Sequence, residues 1–185
     1  MSTAPLEQAV STTRGVLAAV TPDQLGAPTP CESWDVAALI NHIVGAQHFF
    51  LSAMTGTSLT DPPDFAAGDY LGAFDEVSRA SIEAFGADGA MERTITLAFG
   101  DMPGAAVMGL ATTDTFQHGW DLAKATGQDT DLAPELATAL LAQSKVAISP
   151  AFRGPEGAAP FRPEQSAPDG ASAADQLAAF LGRTV

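Results

Sequence analysis

The sequence predicts an all-α protein: a four-helix bundle carrying a short β-hairpin and extra C-terminal helices. Three observations carry that expectation. Apolar residues recur at helical spacing in six stretches. The connectors between them are dense in Pro, Gly and small polar residues. The chain has 185 residues, 46% of them apolar and 16% charged. That is a globular composition and the length of one domain, spanning 1–185. A chain of this size buries roughly 70% of its unfolded surface, so a core is within reach without staples.

The first helix covers residues 5–20, where Leu6, Ala9, Val10, Thr13, Val16, Leu17 and Val20 share a stripe and Pro5 suits an opening turn. A connector from Thr21 to Glu32 holds three prolines. Ser33 is the expected N-cap of a second helix that ends after Met54 at Gly56. That helix is apolar nearly all round, which places it in the middle of the molecule. A polar loop from Thr57 to Gly68 leads to a third helix marked by Leu71, Phe74, Val77, Ile82 and Phe85, with Gly86 expected to close it. Residues 93–98 lean towards β structure and, with the following FGDMPG, suggest a hairpin. A fourth helix is expected from about Pro103 to Thr126, stopped by Gly127, and a fifth over 134–147. Residues 149–170 contain five Pro and three Gly, the composition of a wrapping loop. Ser172 caps a last short helix ended by Gly182.

Charge narrows the function classes. There are 22 acidic and 8 basic residues, a net charge of −14. Such a body repels phosphate backbones and anionic lipid, so neither nucleic acid nor a membrane surface is an expected partner. No stretch of 18 or more apolar residues and no basic-then-apolar leader is present, so a cytoplasmic protein is expected. The single cysteine, Cys31, rules out an internal disulfide and an all-cysteine metal site; near a helix start it reads as incidental.

Chemistry concentrates on two helices. His42 shares the stripe of Leu39, Ile43, Ala46 and Phe50, so it points inward. Asp114 and His118 are four apart on the apolar stripe of the fourth helix, and their side chains project together over one turn. An acid and imidazoles on inward faces are costly unless satisfied. One way to satisfy them is a divalent metal: two imidazoles and a carboxylate leave a coordination position open for water or substrate. The other is plain pairing, Asp114 with His118 and His42 with a backbone carbonyl. Asp121 either orients the His118 ring or pairs on the surface with Lys124 or Lys145. His48 lies off the stripe and reads as structural or exposed. Trp34 and Trp120 read as packing anchors. Phe49, Phe50, Met54, Met108 and Phe116 are either an apolar pocket or ordinary core.

The runs TPCESWDVAALINHIVGAQHFF, FQHGWDLAKATGQ and DQLAAFLGR resemble the DinB-like metal-binding helical family related to the N-terminal domain of mycothiol-dependent maleylpyruvate isomerase. The resemblance covers most of the chain and is weakest over 57–68 and 149–170. It implies a four-helix bundle whose metal, usually zinc, is held at His42, Asp114 and His118. Asp114 stands where the isomerase carries Glu. It further implies a low-molecular-weight thiol such as mycothiol as co-substrate, and a transferase or isomerase acting on a small electrophile. The isomerase has a second domain without a counterpart in these residues, so a related thiol reaction is expected rather than maleylpyruvate isomerisation itself. A metal-dependent hydrolase using Asp121, a non-haem iron site and a non-catalytic metal-binding module are the alternatives. A homodimer is the expected assembly, on the general frequency of such dimers.

Overall fold

The computed structural model describes residues 2–57, 60–155 and 157–185. Parts of the two loops expected at 57–68 and 149–170 therefore lie outside the described residues. The order is α1 (Ala4–Ala18), α2 (Val36–Thr55), α3 (Tyr70–Gly86), β1 (Thr94–Leu97), β2 (Gly100–Pro103), α4 (Gly104–Thr126), α5 (Pro134–Ala147) and α6 (Ala173–Phe180), with short 3₁₀ turns at Pro22–Gln24, Phe65–Ala67 and Pro150–Phe152. The protein is mainly helical with one two-stranded antiparallel hairpin, in register Thr94 with Pro103 and Leu97 with Gly100.

α1 packs on α4 and α3, and α2 packs on α3 and α4, which closes a four-helix bundle. α5 and α6 pack on each other, with α6 against α4 and α5 against α1. Three apolar clusters fill the interior. One joins α1, α2 and α3 around Leu17, Ile40 and Phe74; one lies under the hairpin around Leu6, Phe85 and Val107; one lies beneath α5 and α6 around Phe116, Trp120 and Leu177. Trp120 is fully buried, and its indole N–H donates to Asp175 Oδ1 at 2.9 Å, which ties α6 to α4.

Boundaries follow local chemistry, and the start of α2 departs from expectation. α2 begins after Asp35, not Ser33, because the Asp35 carboxylate accepts from the Ala38 N–H at 2.8 Å. Ser33 and Trp34 therefore sit in the preceding turn, where the Trp34 N–H donates to the Cys31 carbonyl. α3 runs through Gly86 and stops where Ala87 turns extended. Gly56 and Gly127 end α2 and α4 in the left-handed region, at φ 75° and 70°, as a helix-terminating glycine does.

α2 is long and apolar enough, by length and composition, to cross a bilayer, yet here it packs against α3 and α4. It carries polar groups on its packed faces. The buried Gln47 amide donates to Thr115 Oγ1 at 2.6 Å, and the Thr115 carbonyl accepts from Thr13 Oγ1 at 2.8 Å. These bonds fix the heights of α2, α4 and α1 relative to one another, and so place His42 opposite the third and fourth turns of α4.

Candidate metal centre

His42 comes from the second turn of α2, Asp114 and His118 from the middle of α4. Asp114 Oδ1 lies 3.7 Å from His42 Nε2 and 3.6 Å from His118 Nε2. The three donor atoms all fall within 4.8 Å of one another. Two ligands on a tetrahedral ion with bonds of about 2.1 Å stand about 3.4 Å apart. The observed spacings are slightly wider than that edge and too long for hydrogen bonds. His42 Nε2 is buried and has no hydrogen-bond partner. A buried imidazole nitrogen left without a partner is costly. Its position facing a carboxylate and a second imidazole suits a divalent ion.

The rings are held firmly. Trp34 packs over His42 with centroids 4.5 Å apart, and the two imidazoles meet edge to face at 4.4 Å. His118 Nδ1 lies 3.0 Å from Asp121 Oδ2. A carboxylate only accepts, so Nδ1 carries the proton and Nε2 is the atom turned to Asp114. Asp121 is itself fully buried and gripped by Arg183, whose Nε donates to Oδ1 at 3.1 Å and whose terminal nitrogen donates to Oδ2 at 2.9 Å. Gln117 and the Cys31 thiol complete its contacts, at 3.2 and 3.4 Å.

Electrostatics follow this packing. Burial works to raise the Asp121 carboxyl, but the Arg183 charge and the His118 bond outweigh it and hold the group well below the usual carboxylate range. Burial likewise works against charge on His118, yet Asp114 and Asp121 overcome it and push the imidazole up to about 10. Asp114 is lowered in turn: the facing imidazoles outweigh its burial.

Cys31, His118 and Asp121 form a second convergent trio. There the Arg183 guanidinium already lies against both Asp121 and, at 3.6 Å, the Cys31 sulfur. A fixed positive charge in that spot disfavours a cation, so the first trio is the better cradle.

The trio opens on a cavity of about 520 Å³. Phe49 and Phe50 line it, as do Phe99 from the hairpin, Leu110, Phe161 and Leu181. Met54 and Phe116 are buried elsewhere, Met54 and Met108 under the hairpin and Phe116 beneath α5 and α6. They are core because their helices turn those positions towards β1 and α5, not towards the trio. His48 stacks on Phe65, away from the cavity. Asp121 faces inward and pairs with Arg183 rather than with Lys124 or Lys145. Trp34, Cys31, Gln117 and Arg183 belong to the site although periodicity gave no reason to place them there. The one available signal was an inward-facing Asp121, which demands a cation in a chain with few of them.

Residues 6–123 match the family described as the mycothiol maleylpyruvate isomerase N-terminal domain. Two uncharacterized proteins of Mycobacterium tuberculosis, MT0763 of strain CDC 1551 and Rv0738 of strain H37Rv, are each 45% identical to the chain over 170 residues, which is 92% of this chain and 91% of theirs. No solved structure matches.

Proposed function

Since the chain belongs to the mycothiol maleylpyruvate isomerase N-terminal domain family, we propose that it binds a divalent metal, zinc by preference, and uses it with a low-molecular-weight thiol such as mycothiol in a transferase or isomerase reaction on a small electrophile. The observation that supports this best is the buried, unpartnered His42 Nε2 facing Asp114 and His118. Two imidazoles and one carboxylate are a donor set suited to zinc, with a position left for an exogenous ligand. A divalent ion held there lowers the pKa of a thiol and so supplies a thiolate nucleophile at neutral pH.

The chain's own residues do the rest. Asp121 holds His118 in the tautomer that presents Nε2, and Arg183 holds Asp121. Trp34 covers one face of His42 and fixes its ring. The phenylalanine-rich wall receives the electrophile's body and keeps water from it. Addition of the thiol to an alkene carbon forms one S–C bond and places the thiol proton on the neighbouring carbon. Isomerisation reverses that step after rotation, while transfer releases the adduct.

Thiol chemistry is favoured over hydrolysis by the state of Asp121. Hydrolysis needs a free base beside the attacking water. Both Asp121 oxygens are taken, by Arg183, His118, Gln117 and Cys31, and the residue is fully buried.

Elemental analysis of purified protein, followed by thiol consumption against a panel of electrophiles, tests the proposal. One metal ion per chain is expected, lost in His42→Ala, with turnover that requires both thiol and metal. Unchanged metal content in His42→Ala, or turnover independent of thiol, would overturn it.

A further inference from the structure

We propose that the cavity selects an uncharged ligand with a flat apolar body, aryl or alkenyl, and turns away carboxylates, dicarboxylates above all. The selection rests on the reading above only for where the reacting end lies; the wall and the charges argue for themselves.

The wall is aromatic and partly waiting for cover. Phe99 sits in the two-residue turn between β1 and β2 and is 67% exposed, while Phe49 on α2 is 46% exposed. Two-residue hairpin turns favour Asn and Gly, so turn geometry does not ask for Phe at this place. Both rings line the cavity together with Phe50, Leu110, Phe161 and Leu181. A large apolar surface at a cavity mouth gains stability only when something apolar covers it.

The charges point the same way. Among the described residues lining the cavity, Arg183 is the only Lys or Arg. Its guanidinium is spent: it donates to both oxygens of Asp121 and to the Leu181 carbonyl, and lies against Cys31. The remaining basic residues line other surfaces. Arg14, Arg79 and Arg162 pair with Asp75, Glu83 and Glu32, and Arg93 and Arg153 donate to main-chain carbonyls. The two lining imidazoles already face a carboxylate, His42 and His118 both being turned to Asp114. No positive charge is left to receive a substrate carboxylate, and the whole chain carries −14. A carboxylate entering this cavity loses water without gaining a partner, which is how a site rejects a competitor.

Calorimetric titration without thiol tests this, because binding is then read apart from turnover. The probes are benzalacetone against its para-carboxylate, which share ring and enone, and dimethyl maleate against maleate. Each is titrated into metal-free protein, where no open coordination position can bind a carboxylate, and zinc stoichiometry is measured on a reconstituted portion of the same preparation. The neutral member of each pair is expected to bind at least about tenfold more tightly. Phe99→Ala and Phe49→Ala, both at exposed positions, are expected to weaken benzalacetone about threefold or more and leave the melting temperature unchanged. Carboxylates that bind as tightly as their neutral partners, an absence of binding by either neutral probe, or phenylalanine variants without effect would each overturn the proposal. Absence of zinc binding would sink the metal reading alone, since the ranking of the probes is read on the metal-free chain.

Discussion

Asp121 is the most heavily bonded side chain of the site, and its role is to position His118. A carboxylate behind a ligating imidazole sets the tautomer and raises ligand basicity, and its loss typically costs about 10–100-fold in metal affinity. Asp121→Asn is therefore expected to weaken zinc by about that factor in a competition titration with a chromophoric chelator. An unchanged affinity would mean that His118 is oriented by packing alone. The same residue predicts the acid limb of stability in the metal-free protein. Its folded pKa lies below the unfolded value of about 3.9, so its stabilising contribution is complete above that value and is lost as pH falls towards the folded one. Urea midpoints should decline below about pH 4 in the wild type and decline less steeply in Asp121→Asn. That His42, Asp114 and His118 face inward was legible in the sequence because each shares a stripe with apolar neighbours on its own helix, whereas their grouping as one ligand set came from the family resemblance. Cys31 and Arg183 were not legible: they reach the site across separations of 90 and 62 residues from Asp121. Helical periodicity carries no information over such distances. Trp34 was read as a packing anchor, and it does pack, but its partner is the His42 ring.

α4 is the element on which the site depends. It is buried along most of its length and meets α1, α2, α6 and the hairpin. It lies tight against α1 at Gly119, where an added Cβ would collide with the Thr13 hydroxyl and lie 3.1 Å from Thr13 Cβ. Thr13 cannot yield easily, since it is fully buried and donates to the Thr115 carbonyl at 2.8 Å. Gly119→Ala should therefore push the helices apart and cost about 2 kcal/mol, the scale of overpacking in a filled core. Because His118 is the adjacent residue, zinc affinity should fall in the same variant. A thermal melt and a zinc titration together check this; a variant of wild-type stability would show that the α1–α4 contact is loose. Element types and order could be read from periodicity and from Gly56 and Gly127, both of which do stop helices. Starts were harder. Ser33 and Asp35 are both good caps, and only the folded backbone shows that Asp35 reaches the Ala38 N–H. The loop over 149–170 defied prediction in detail because long-range bonds hold it: the Arg153 guanidinium donates to the Arg162 and Phe180 carbonyls and lies 4.5 Å over the Phe180 ring.

At the scale of the whole molecule, the donors of the trio come from two helices, and the groups behind them come from the loop before α2 and from the residue after Gly182. An ion bound by His42, Asp114 and His118 would therefore tie α2 to α4, and through Asp121 and Arg183 the chain end to both. Unfolding must then release the ion. A ligand present at 100 times its dissociation constant stabilises the fold by about 2.7 kcal/mol. For a chain of this length each kcal/mol moves the melting temperature by about 2–4 °C. Zinc added to the metal-free protein is thus expected to raise the melting temperature by about 5–10 °C. Magnesium, which prefers an all-oxygen shell, should raise it far less. In His42→Ala, where α2 contributes no donor, the zinc effect should shrink towards zero, read against that variant's own metal-free melt, which also loses the Trp34 contact. A melt indifferent to zinc would mean that the three convergent donors bind no ion and are stabilised by pairing alone. Equal shifts in wild type and His42→Ala would move the ion elsewhere, with the Cys31, His118 and Asp121 trio the next place to look.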